Sequence, residues 1–199
     1  MTPEVLRDQL SEPWHHGEHH DLRGIVCEGP VDLSGKRIAG FDLSGARFPH
    51  GFVARGTVFE GLSWFGGVRF QGPVDFTGAT FTNDARFEAC VFEGAVRFAS
   101  ADFRGIARFD GAHFHQDADF SSVVSYGNFS LQAVQARGRF SCAGCEWLGG
   151  LWCQDVRLSD AADLSDTQVH GRLWLRNAMH GNRLLGANQF SMTFGYSYS

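Results

Sequence analysis

The side chains best suited to chemistry fall in two short runs. His15, His16, His19 and His20 form HHGEHH, and neutral imidazoles so close together can ligate a transition metal. Cys142 and Cys145 stand at C-x-x-C spacing, with Cys153 close behind, a pattern that can hold zinc or cycle as a redox pair. Neither set is complete. No second pair at ligand spacing follows the cysteines, which read as small buried hydrophobes together with Cys27 and Cys90. The histidines occupy a Gly-containing linker and read as a solvated segment. Asn128 to Ser130 spells a glycosylation sequon, but Phe129 is predicted to point inward and no export signal precedes it. No nucleophile elbow, phosphate loop or carboxylate pair stands out from the scattered Asp and Glu. The expectation is therefore a protein without catalytic residues, cofactor or functional metal.

What must position these residues is set by phenylalanine. Twelve of them, at 59, 65, 70, 76, 81, 87, 92, 98, 103, 109, 114 and 120, follow one another in steps that alternate between six and five. On a helix, at about 100° per residue, such steps scatter side chains around the axis. A straight strand fails too, because a five-residue step reverses the face and a six-residue step restores it. A chain that turns a corner every five or six residues keeps every Phe inside, as a solenoid whose coils stack by strand pairing. The residue two before each Phe is small or β-branched in most units (Val74, Ala79, Ala85, Cys90, Val96), and shares the inner face. Arg, Asp, Thr, Gly and Ser fill the outer positions and corners.

FDLSGARF (41 to 48), VDFTGATF (74 to 81), AVRFASADF (95 to 103) and DADFSS (117 to 122) resemble the pentapeptide-repeat family, whose units read roughly Ala-(Asp/Asn)-(Leu/Phe)-x-x. The resemblance implies an all-β, right-handed quadrilateral β-helix. The alternating step is similar to a variant with one extra residue in every second unit, hence 22 residues per coil. A fold of this kind hosts many functions.

Forward of Phe120 the frame passes through Ser125, Leu131, Ala136, Cys142, Trp147 and Cys153 to His180, while Val123, Phe129, Val134, Phe140, Cys145, Leu151 and Val156 hold the second inward position. Large and small residues exchange places there without breaking the spacing. Backward it reaches Leu22, with one residue missing near position 40. Three segments follow: 1–20, a capping segment and His-rich linker; 21–180, a solenoid of about seven coils, roughly 35 Å long at ~4.8 Å per coil; and 181–199, an aromatic tail. Thr2 as N-cap and Pro3 at the first helical position predict a short N-terminal helix with Val5, Leu6, Gln9 and Leu10 on its inner face. In the tail, Phe190, Met192, Phe194, Tyr196 and Tyr198 alternate with small or polar residues, which predicts one strand with an apolar face, serving as a cap or as a contact to a second subunit in a homodimer or larger assembly.

The 22-residue coil allows outer columns to be read. One of them collects Trp64, Arg86, Arg108, Ser130, Trp152 and Trp174, three of the five tryptophans in the chain. Trp and Arg are enriched at binding hot spots, so this column is the candidate partner-binding site. The plainer reading lays each ring over a corner as packing.

Net charge is −5, which leaves no basic footprint for direct nucleic-acid binding. No apolar run is long enough to insert in a membrane, and a cytoplasmic location is expected. Three function classes remain. The first is a rigid, non-catalytic scaffold that binds a protein partner. The family resemblance adds a second, a DNA mimic that binds and protects a type II topoisomerase. That role needs a dense acidic stripe, whereas the column at 75, 97, 119, 141 and 163 reads Asp, Arg, Asp, Ser, Asp. The third, a β-helix acyltransferase, demands a uniform six-residue step.

Overall fold

Two-residue strands separated by corners follow the helix α1 (Pro3–Leu10) throughout the computed structural model, which describes residues 1–199. They stack into a four-sided solenoid of about eight turns. In chain order, face 1 runs from His20–Asp21 to Ser197–Tyr198 in nine strands, and face 2 from Arg47–Phe48 to Arg183–Leu184 in eight. Face 3 runs from Val31–Asp32 to Phe140–Ser141 in six, and face 4 from Arg37–Ile38 to Met192–Thr193 in eight. Pairing is parallel except in one hairpin, where Met179–His180 meets Arg183–Leu184. Val74 faces Val96 and Ala85 faces Ala107, each 22 residues on. Arg37 faces Val58, only 21 on, whereas Phe41 already faces Ser63. The missing residue therefore falls at the Ala39–Gly40 corner.

The two step lengths are two kinds of corner. After an inward residue of face 1 or 3 the chain turns within five residues, and the second residue past it takes a positive φ: 65° at Gly67, but also 54° at Ala89 and 55° at Ala133. After face 2 or 4 the corner carries one residue more and lies directly on the corner of the coil before. A Cβ on Gly127 would overlap the carbonyl of Gly105, and one on Gly138 would come 2.5 Å from the Gln116 carbonyl carbon. Glycine there answers a lack of space between coils.

Four phenylalanine columns fill the interior. Phe81 stacks on Phe103 at 4.7 Å, Phe87 on Phe109 at 4.8 Å, Phe92 on Phe114 at 4.8 Å and Phe98 on Phe120 at 4.9 Å, all within 13° of parallel. Such columns add to the burial energy of each ring. Where Ser125 replaces a phenylalanine, Phe129 leans in from face 1 and contacts Phe103 at 5.5 Å and Phe109 at 5.4 Å. The exchange of large and small inward positions is thus a real repacking of the core, with both sets buried.

Helix α1 covers the first coil. The Thr2 hydroxyl accepts from the Val5 N–H, Pro3 opens the helix, and Leu6 and Leu10 are buried. Val5, expected on the inner face, lies outside at 51% exposure. The tail departs further from expectation. Met192–Thr193 joins face 4 and Ser197–Tyr198 joins face 1, both parallel. A corner at Phe194–Gly195 divides what reads as one strand. Phe190 is buried, 6.3 Å from the Trp147 ring, while Met192, Phe194, Tyr196 and Tyr198 are exposed.

Candidate interaction surface

The outer residues of face 1 stand in register. Trp64 faces Arg86, Arg86 faces Arg108, Arg108 faces Ser130, Ser130 faces Trp152, and Trp152 faces Trp174. Tyr198 extends the row by one rung beyond Trp174. From Trp64 to Trp174 each is the second residue of a strand whose first residue is buried, so strand alternation alone points them outward.

Their environments differ along the row. The Arg86 guanidinium lies 5.2 Å from the centre of the Trp64 ring, and the His19 ring lies 6.2 Å from Trp64. Tyr198 stacks on Trp174 at 4.2 Å and 14°. Ser130 donates its hydroxyl to Asp110. Arg86 and Arg108 are exposed and join no carboxylate, unlike Arg55, Arg69 and Arg139, each of which forms an ion pair. The three tryptophans are half-buried, and the indole N–H groups of Trp64 and Trp174 have no acceptor. The row therefore combines packing with recognition chemistry: the rings, with the buried indole N–H groups of Trp64 and Trp174, pack against the solenoid, while the cations of Arg86 and Arg108 are left without a carboxylate.

Face 3 is organised differently. The Asp75 carboxylate receives the Thr77 N–H at 3.0 Å and the Arg55 Nε at 2.7 Å, with Arg97 3.9 Å away. Burial pushes the Asp75 carboxyl up, but the bonds from Thr77 and Arg55 outweigh it and hold the group below the usual carboxylate range. Further along, Arg139 pairs with Asp163 at 3.2 Å across a shallow cleft of about 470 Å³ that also touches Arg97 and Asp119. Arginines thus neutralise carboxylates along this face.

The histidine run does not converge on one point. His15 bonds Glu18 at 3.0 Å, His20 lies 3.8 Å from Glu12, and His19 packs near Trp64. No three metal-binding side chains in the chain come together. All five cysteines are free and buried. Burial pushes the Cys153 thiol up to about 12, and burial together with the neighbouring Cys145 raises Cys142. Thiolate chemistry at neutral pH is suppressed at both.

Residues 54–88 and 76–124 match the family model described as pentapeptide repeats (9 copies). The matched stretch, residues 54–124, is made of pentapeptide repeats, and the solenoid that contains it has the pentapeptide-repeat fold. Among solved structures it is similar to HetL, a pentapeptide repeat protein involved in heterocyst differentiation regulation from the cyanobacterium Nostoc sp. strain PCC 7120. The identity is 16%, the TM-score 0.21, and the comparison covers 92% of this chain and 98% of that one. No curated protein matches the sequence. No helix of the chain is long and apolar enough to cross a membrane.

Two further features of this pentapeptide-repeat surface escaped the sequence analysis. At the end of face 4, Tyr126, Leu148, His170 and Phe194 form a second row, each N–H bonding the coil before it, with His170 and Phe194 stacked at 4.6 Å. Counting 22 residues from the position after the inward residue would have found its first three members. The other is Trp14, whose place on the solenoid has no counterpart in the repeat.

Proposed function

We propose that this protein is a non-catalytic scaffold that binds a protein partner in the cytoplasm through face 1, with Trp64, Arg86, Arg108, Trp152 and Trp174 as the contact row. One observation carries the reading: tryptophan and unpaired arginine are aligned on a rigid sheet over consecutive coils, with Tyr198 continuing the row. The half-buried tryptophan rings are held in place and lose little entropy on binding. Five reduced, buried thiols agree with a reducing compartment. Topoisomerase mimicry draws less support, because Arg55, Arg97 and Arg139 offset the carboxylates of face 3.

The test replaces Trp152 and Trp174 together with Ser. Recovery of the cellular partner by affinity isolation should fall at least about tenfold, with the circular dichroism spectrum retained. Unchanged recovery would refute face 1 as the contact. A wholesale loss of the folded spectrum would assign both rings to packing, and Arg86→Glu with Arg108→Glu, at exposed positions, then decides the matter.

A further inference from the structure

The segment between helix α1 and the first strand binds the solenoid in a way that exposes what the rest of the surface can accept. The indole of Trp14 lies on the backbone of the corner between faces 4 and 1. A Cβ on Gly61 would come 2.8 Å from its Nε1, and one on Gly40 3.4 Å. The Nε1 donates to the Glu18 carbonyl at 3.1 Å, closing the segment into a loop over the corner, and His19 reaches Trp64. Gly40 and Gly61 are buried beneath it. The loop is acidic: from Ser11 to Asp21 it carries Glu12, Glu18 and Asp21 and no Lys or Arg.

The same corner continues down the solenoid through Gly127, Gly149 and Gly171, stacked backbone on backbone. There Gly127, Gly149 and Gly171 are only half-buried, between Tyr126 and Leu148 on the face 4 side and Trp152 and Trp174 on the face 1 side. Tyr126 is 55% exposed. Arg108, Arg172 and Arg176 stand near this stretch, exposed and without ion pairs, although the chain as a whole is acidic at −5. These three guanidinium groups, in the company of Asp110 and Asp155, are opposite in charge to the carboxylates of the loop seated at the first coils.

We propose that this open stretch binds an extended acidic peptide segment of a protein partner, with an aromatic side chain laid on the glycine backbone between Leu148 and Trp152, as Trp14 is laid on Gly40 and Gly61. The proposal deepens the scaffold reading and rests on it, adding the chemistry of the partner. Glycine suits the floor because a flat backbone offers a ring van der Waals contact and exposed peptide edges. The flanking rings supply apolar walls, and the arginines attract the carboxylates.

The probe is a fluorescein-labelled peptide with the sequence of residues 11–20, SEPWHHGEHH, titrated with the full chain by fluorescence anisotropy. Saturable binding is expected. It should weaken at least about tenfold when Ser replaces the peptide tryptophan, or Lys replaces both glutamates. Arg108→Glu with Arg172→Glu in the protein, at exposed positions, should weaken it similarly, while Arg157→Glu on face 2 should leave it unchanged. Absent binding, or binding indifferent to these changes, overturns the proposal. So does a dimer seen by light scattering that Trp174→Ser dissolves, because the occupant is then a second copy. If the peptide fails but the Trp152 and Trp174 replacements still release the cellular partner, only the peptide chemistry falls. If neither responds, the scaffold reading falls with it.

Discussion

Single residues in this solenoid are governed by the corner they occupy. At short corners a left-handed backbone is required, and Ala133 adopts it at φ 55° despite its Cβ. Replacing Ala133 with Gly relieves that strain and should stabilise the fold by about 1 kcal/mol, read as a higher melting temperature. Gly127 sits at a long corner, where the obstacle is the neighbouring coil. Gly127→Ala should cost roughly 1–3 kcal/mol by overpacking, and the same melt would show it. The two substitutions thus separate conformational from steric demand. Asp75 follows a third rule. Because its folded pKa is depressed, the stability it contributes is present above the ordinary carboxylate range and is lost as pH falls through the folded value. Asp75→Asn keeps an acceptor for the Thr77 N–H but gives up the charge facing Arg55. It should be less stable than the parent by about 1 kcal/mol at pH 7, with the gap closing below about pH 4 in urea titrations.

At the level of elements, the strands were legible because every side contributes one residue that cannot face water. Leu22, Cys27, Leu33 and Ile38 are as fully enclosed as the phenylalanines, although no single one marks a repeat. The column of Trp64, Arg86, Arg108, Trp152 and Trp174 was legible for the same reason, since the spacing of inner residues dictates that of outer ones. The tail was not. Alternation from Phe190 to Tyr198 describes a straight strand and a bent one equally well, and only the coil beneath decides where the bend falls. Nor was the seat of Trp14 legible, because it depends on a corner two coils long that lies distant in sequence. The helix was readable from its cap residues, yet Val5 was misplaced: eight residues offer one narrow inner stripe, and Leu6 with Leu10 already fills it.

For the whole molecule, the two ends are unlike. Leu6 and Leu10 seal one of them, with Leu10 accepting a backbone bond from Ala39. At the other, Leu185 and Phe190 close over the core, while Phe194 and Tyr196 are 61% and 80% exposed. If the tail joins subunits, a chain truncated after Gly186 should show a smaller mass by light scattering than one less tail per subunit accounts for. A mass reduced only by the missing residues would exclude that contact and leave the aromatic side chains to faces 1 and 4.

The corner at Ala39–Gly40 has one residue fewer than its successors, yet the strands on either side keep their partners. Long corners therefore behave as slip joints that absorb a change in chain length without passing it on. Deleting Asn128, which occupies the equivalent place four coils later beyond Gly127, should leave a folded chain with a modestly lower melting temperature. Deleting Ala133 from a short corner should abolish the cooperative transition. Insertions and losses can thus accumulate along one edge of the rod while the arrangement of side chains on the remaining faces is inherited intact, so that such a molecule can change length and keep its message.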